Sequence, residues 1–257
     1  MAEVEVYDGR ARRRLRAVNH DTTTPFYVQI TRGFGWLMRR TSKQDWGPAA
    51  AIPQTGAVLV CPNHISNYDA PAVGHFLMWS GRFPYYLAKE QVFRWPFVGW
   101  IAKRCEQIPV QRGTAHAADA LVAARETLAA GRLVVIYPEG TRTKDPDLWP
   151  MTGRPGAARL ALTTRTPVIP VGQWGAQEVM PPGKAGFHIW PRRTMRVLAG
   201  APVPLDDLYS DEPSREAVKT ATSRIMDAIT DLVEQVRHET APAGRWDARA
   251  GVRVPIR

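Results

Sequence analysis

The chain has 257 residues, 44% of them hydrophobic and 23% charged, which places it among globular proteins and excludes a disordered, collagen-like or coiled-coil chain. Its 34 lysines and arginines against 24 aspartates and glutamates leave a net charge of +10, so an anionic partner is expected: nucleic acid, phospholipid headgroups or a phosphorylated substrate. Two cysteines, Cys61 and Cys105, are too few for a disulfide scaffold and too scattered for a zinc site, so neither a metal nor a cofactor is expected.

Residues 1–20 are polar and arginine-rich, with Arg12, Arg13 and Arg14 in a row, and read as a basic solvated arm. They lack the apolar stretch of a secretory signal. Nowhere does the chain run for about 18 apolar residues, so no spanning helix is expected. Residues 21–55 hold Phe26, Tyr27, Val28, Ile30, Phe34, Trp36, Leu37 and Met38 among Arg32, Arg39, Arg40 and Lys43. This predicts an amphipathic helical segment over 24–43 and a linker over 47–56. The apolar side of that helix suits the acyl boundary of a membrane, with its cations on phosphate, and suits a protein core equally well.

From residue 56 to 240 short apolar runs alternate with helical stretches, the pattern of an α/β catalytic domain. AVLVC (57–61), LVVIY (133–137) and VIPV (168–171) are too short and too uniformly apolar for exposed helices and read as buried strands. A helix capped by Thr114 should carry Ala117, Leu121, Ala124 and Leu128 on one side and stop at Gly131. Pro155 should open another. The clearest helix spans 213–238, with Ala217, Ala221, Ile225, Ile229, Leu232 and Val236 as its apolar stripe. Residues 241–257, rich in proline, glycine and arginine, read as a basic flexible tail.

Two polar loops follow predicted strands, where α/β folds gather ligand contacts. The first, Asn63-His64-Ile65-Ser66-Asn67-Tyr68-Asp69, places a histidine and an aspartate about 140° apart on an ideal helix, so they meet only if the chain turns between them. Ser66 and Asn67 suit that turn. A carboxylate on one imidazole nitrogen fixes the tautomer and leaves the other nitrogen as a general base. With no nucleophile alongside, the attacking hydroxyl would come from the substrate. The second loop, Pro138-Glu139-Gly140-Thr141-Arg142-Thr143, offers a guanidinium fork for phosphate oxygens, a hydroxyl, and a glycine that permits close backbone approach. His75, His116, His188 and His238 lack acidic or cysteine neighbours at ligand spacing and read as packing or surface residues. Cys61, amid AVLV, reads as a buried thiol.

Taken together, NHISNYD and YPEGTRT, 75 positions apart from histidine to glutamate, resemble the glycerolipid acyltransferases of the 1-acylglycerol-3-phosphate acyltransferase family. Ile108-Pro109-Val110-Gln111-Arg112-Gly113 and Val168-Ile169-Pro170-Val171 are similar to two further blocks of that family. The resemblance covers roughly residues 56–171. It implies an α/β fold with a mixed central sheet flanked by helices; outside it, the composition of the N-terminal segment and the basic, aromatic character of the chain suggest a membrane-associating helical segment on a protein lying peripherally on the cytoplasmic face of the cell membrane. It also implies transfer of a fatty acyl group from acyl-CoA or acyl-carrier protein, as co-substrate, to the sn-2 hydroxyl of a lysophospholipid. By the same resemblance His64 is the base and Asp69 orients it, while Arg112, Glu139, Gly140, Thr141 and Arg142 bind the acceptor. Glu139, an anion, would receive a glycerol hydroxyl or position an arginine. Many family members carry a lysine where this chain has Arg154, which keeps the charge and changes its shape. Other acceptors, such as a lyso-ornithine lipid or a glycolipid, are compatible with the motifs. A silent lipid-binding protein sits poorly with the intact His64 and Asp69, and no nucleic-acid motif is visible. The nine tryptophans, with Trp95 and Trp100 beside Phe93 and Phe97, suit a membrane interface or the entry for an acyl chain, and suit a core helix as well.

Overall fold

The computed structural model describes residues 10–110, 117–183 and 186–255. A seven-stranded sheet forms the middle layer. In chain order its strands are β1 (Ser42–Trp46), β2 (Val58–Pro62), β3 (Pro84–Lys89), β4 (Ile108–Val110), β5 (Leu133–Val135), β6 (Val168–Trp174) and β7 (Arg193–Ala199). In space they lie in the order β1-β7-β6-β2-β5-β3-β4. Every neighbouring pair is parallel except β6 and β7, which are antiparallel and join Val171 to Ala199 and Trp174 to Arg196. The sheet is therefore mixed and mostly parallel.

The uniformly apolar strands are buried on both sides because consecutive side chains serve opposite layers. Leu59, Cys61 and Val134 face a cluster shared with helices α5 (Ala117–Ala129), α6 (Pro155–Thr164) and α8 (Arg215–Arg237). Val58, Val60, Leu133 and Val135 face the other cluster, with helices α1 (Pro25–Thr41) and α2 (Asp69–Trp79). Three shorter helices, α3 (Glu90–Arg94), α4 (Pro96–Arg104) and α7 (Ala176–Val179), fill connections at the sheet edge and beyond β6.

The ends of α1, α6 and α8 follow elementary capping rules. Thr24 accepts a hydrogen bond from the Tyr27 amide, Ser214 accepts one from the Ala217 amide, and Pro25 and Pro155 occupy first-turn positions where no amide donor is needed. The buried stripe of α8 runs Val218, Ala221, Ile225, Ile229, Leu232 and Val236. It lies so close to β6 that a Cβ on Gly172 would come within 2.6 Å of the Leu232 Cβ.

Two terminal features, the arm and the tail, differ from the sequence reading, and helix α1 forms where it is expected. The basic arm is docked where it is described: Arg10–Arg12 and Leu15–Ala17 are short 3-10 turns, Ala11 and Leu15 enter the core, and the Arg10 guanidinium lies over the Phe76 ring and donates to Ser80 Oγ. A guanidinium spread over an aromatic face with oxygen acceptors at its rim is stable under cover. Helix α1 uses both of its sides: Tyr27, Thr31, Gly35 and Met38 pack inward, and Arg32, Trp36, Leu37 and Arg40 face out. The tail forms a hairpin of β8 (Arg245–Asp247) and β9 (Val252–Val254). Arg245 is ion-paired to Asp227, the Thr152 amide donates to the Trp246 carbonyl, and Arg253 reaches Asp145 and Asp147, each at 3.0 Å. Its arginines thus tether the tail through carboxylates far away in sequence.

Among the described residues no helix is long and apolar enough to cross a membrane.

Gly172→Ala is expected to force α8 off β6 and cost about 1–3 kcal/mol. A thermal melt falling by roughly 2–12 °C checks this, at about 2–4 °C per kcal/mol for a chain of this size.

Candidate active site

Strands β2 and β5 pair in parallel, Val58 with Leu133 and Val60 with Val135, so the loops leaving their carboxyl ends emerge side by side. That is why two segments 75 positions apart share one site.

In the first loop the chain turns as the spacing requires. The Asp69 Oδ2 atom accepts from the Ile65 amide at 2.6 Å, from the Ser66 amide at 2.9 Å, and pairs with His64 Nδ1 at 2.7 Å. Asp69 also opens α2, where the helix dipole favours a negative charge. The carboxylate is fully buried while the His64 side chain keeps 16% exposure. With Nδ1 engaged, Nε2 is the nitrogen left for a proton in transit. Ser66 fixes the turn further: its hydroxyl donates to the Met180 carbonyl and accepts from the Tyr68 amide.

Glu139 is placed differently from the sequence expectation of an acceptor-binding residue. It is 1% exposed, with Oε1 accepting from the His64 amide at 2.8 Å and Oε2 from the Met151 amide at 3.1 Å. Burial pushes its carboxyl up to about 8, against the pull of those hydrogen bonds. Each oxygen accepts a backbone amide, so Glu139 ties the histidine loop to the 139–151 loop. The Thr143 amide adds a second tie, donating to the His64 carbonyl at 2.7 Å.

Gly140 adopts φ +71°, and a Cβ there would meet Arg154 Cδ at 2.5 Å, so the glycine lets the Arg154 side chain lie across the loop. Thr141 and Arg142 are half-buried on the same loop, and Arg154 is exposed. The Arg142 guanidinium has no carboxylate partner among the described residues. Arg112 lies outside the described residues, beyond the end of β4. A cavity of about 210 Å³ opens here, lined by Leu87, Leu121, Ile136 and Tyr137 on its apolar side and by Gly140 and Arg154 on the other.

Two contributors escaped the sequence reading. Tyr137 stacks on the His64 ring, centroids 4.3 Å apart, and gives the imidazole a flat floor. Asn63 acts as an extension of β2: its amide donates to the Gln173 carbonyl and accepts from the Gln173 amide, at 3.1 and 2.8 Å. Both open the motif segments NHISNYD and YPEGTRT, and that position was the available signal. Cys61 is sealed in the core, where burial raises its thiol pKa far above the ordinary range. His75 is also buried, edge-on to Trp46 and Trp79, and burial lowers its imidazole to about 3.

The fold and these loops define an α/β domain carrying a histidine–aspartate dyad at the carboxyl ends of parallel strands. A family model described as Acyltransferase matches residues 48–174. Residues 48–174 thus form an acyltransferase-family domain, similar to those of the 1-acyl-sn-glycerol-3-phosphate acyltransferases. It is 30% identical over 125 residues to a chloroplastic 1-acyl-sn-glycerol-3-phosphate acyltransferase of Brassica napus, covering 48% of this chain and 36% of that one. It is 30% identical over 169 residues to the lyso-ornithine lipid O-acyltransferase of Pseudomonas aeruginosa, covering 64% and 60%. The chain therefore spans about a third of the plant relative's length and three fifths of the bacterial one's. The crystal structure of the 1-acyl-sn-glycerophosphate acyltransferase PlsC of Thermotoga maritima superposes with a TM-score of 0.62 at 23% identity, covering 84% of this chain and 80% of that one. It shares the fold.

Glu139→Ala strands two buried amides and is expected to cost roughly 2–4 kcal/mol, read as a lower melting temperature, whereas loss of a mere acceptor ligand would raise KM and leave the melt unchanged. The carboxyl pKa is higher in the fold than its ordinary 4.5. The stability it contributes is therefore full below about pH 4.5 and lost as pH rises through about 8. Glu139→Gln should remove that part of the slope in melts taken across the range.

Proposed function

We propose that the protein transfers a fatty acyl group from an acyl thioester, acyl-CoA or acyl-carrier protein, to the sn-2 hydroxyl of 1-acylglycerol 3-phosphate. The observation that carries this reading is the His64 ring, tethered at Nδ1 by Asp69, with no hydroxyl or thiol of the described residues bonded to it. A base so held, without a protein nucleophile beside it, is suited to activating a substrate hydroxyl.

In this reading His64 Nε2 takes the proton as the acceptor oxygen attacks the thioester carbonyl carbon. Asp69 holds the tautomer and stabilises the imidazolium. The tetrahedral intermediate collapses, the carbon–sulfur bond breaks, and the departing thiolate takes the proton back from His64. The adjoining cavity, apolar along Leu87, Leu121 and Ile136 and cationic at Arg154, suits a molecule with an acyl chain and a phosphate. Arg142 and Arg154, with Arg112, are assigned to that phosphate, Gly140 and Thr141 to its close approach. No cofactor is needed beyond the thioester co-substrate.

The protein is assigned peripherally to an anionic membrane at its cytoplasmic face. Exposed Trp36, Trp95, Phe97, Trp100, Phe187 and Trp190, the last at 83%, support this, because such rings favour the headgroup boundary. A lyso-ornithine acceptor is the second reading, favoured by the Pseudomonas aeruginosa relative.

The test is thiol release from palmitoyl-CoA, or from palmitoyl-carrier protein, with and without 1-acylglycerol 3-phosphate. Release is expected to depend on the acceptor and to vanish in His64→Ala; silence with both donors and with both acceptors would overturn the reading. Asp69→Asn should lower kcat by roughly a thousandfold, since the amide favours the wrong imidazole tautomer. Arg142→Ala should weaken the phosphate acceptor by roughly ten- to a hundredfold in kcat/KM. An activity indifferent to Arg142→Ala would select the unphosphorylated acceptor.

A further inference from the structure

A cleft of about 350 Å³ opens beside the far end of α2 and is walled by Arg13, Arg14, Arg16, Arg32, Arg39 and Trp79. It is separate from the dyad: Asp69 opens α2 and Trp79 closes it, so the two ends stand about 15 Å apart along the helix axis.

The cleft is built, not incidental. The Trp79 indole N–H donates to the Arg13 carbonyl at 3.0 Å, and the Arg39 guanidinium stacks over the same indole at 5.3 Å. Gly35 makes room for that indole, since a Cβ there would stand 2.0 Å from its edge. Ala11 and Leu15, buried on either side of Arg13 and Arg14, hold the N-terminal turns down. Of the five arginines, Arg39 is half-buried and Arg13, Arg14, Arg16 and Arg32 are exposed. None of these five meets a carboxylate among the described residues. Five like charges around one concavity repel one another, and an anion that enters relieves that repulsion.

The rim says which anion. Arg32 lies one turn from Trp36 on the outer side of α1, where Trp36 and Leu37 are 59% and 49% exposed and Arg40 stacks on the Trp36 ring. A guanidinium-walled cleft bordered by exposed apolar rings matches a phosphate attached to an acyl chain, with the chain lying along α1. We infer that this cleft binds the phosphate headgroup of an anionic membrane lipid that is not the acyl acceptor, so that the arginine arm and α1 together anchor the protein. The inference rests on the membrane placement proposed above and is independent of the reaction.

The test measures binding of the full chain, with no substrate, to vesicles of phosphatidylcholine alone and of phosphatidylcholine with 30% phosphatidylglycerol. Arg14→Glu/Arg16→Glu is compared with Arg215→Glu/Lys219→Glu, an equal charge change at exposed positions at the start of α8. Anionic vesicles should bind tighter, and the cleft variant should lose roughly thirtyfold or more while the α8 variant loses no more than about threefold. Circular dichroism melts matching the native protein show that both variants are folded; should the cleft variant not be, Arg14→Gln/Arg16→Gln takes its place. Equal losses in both variants overturn the cleft while leaving the membrane placement intact. Failure of the native protein to bind either vesicle overturns both. Stabilisation by inorganic phosphate or free CoA that needs Arg14 and Arg16, without any effect of these residues on vesicle binding, assigns the cleft to a soluble phosphate and overturns the lipid.

Discussion

One carboxylate oxygen organises the loop that carries the histidine–aspartate dyad. Asp69 Oδ2 gathers the Ile65 amide, the Ser66 amide and His64 Nδ1, and a fully buried anion is tolerable only when it is so well supplied with donors. The same contacts bend the chain between His64 and Asp69, fix the imidazole tautomer and start α2. The geometry of the base and the stability of the loop are thus one requirement, because removing the carboxylate would leave two amides and a ring nitrogen unsatisfied together.

Around that oxygen the supports come from distant parts of the chain. Glu139 and Thr143 bind the backbone of His64 from the neighbouring loop, Asn63 binds β6, Ser66 binds the carbonyl of Met180, and Tyr137 lies flat under the imidazole. The C-terminal hairpin then braces the 143–152 stretch through Arg253 and the Trp246 carbonyl. A proton-transfer site works to tolerances well under an ångström, and here rigidity comes from side chains that receive backbone amides, leaving His64 Nε2 and the Arg142 guanidinium without such duties.

The charge of +10 has a spatial meaning that its sum conceals. Arg82, Arg245 and Arg253 are spent on carboxylates inside the fold, and Arg224 on Asp207 at the surface. Among the arginines without a carboxylate partner in the described residues, two groups stand together, Arg142 and Arg154 near the dyad and five around Trp79 at the other end of α2. The exposed aromatic rings of α1, α4 and the 187–190 loop accompany them. An excess of free guanidinium beside exposed tryptophan is the combination an anionic lipid surface attracts.

The sequence by itself determined the three central strands β2, β5 and β6, since AVLVC, LVVIY and VIPV can bury both sides only inside a covered sheet, and it determined helix starts, where Thr24, Pro25, Pro155 and Ser214 act within one turn of themselves. It also located the two loops, because their residue types are costly to place in a core and so read as functional. It did not reveal the role of Glu139, whose partners His64 and Met151 are amides that any residue carries. Nor did it order the two ends of the chain: composition made the arm and the tail look solvated, while Arg10 finds an aromatic face and Arg245 and Arg253 find carboxylates only once the fold exists. The sense of β7 and the apposition of the two loops were likewise decided by strand order. Local propensity and burial act over a few neighbouring residues, whereas hydrogen-bond and ion-pair partners are chosen by which surfaces the tertiary fold brings together.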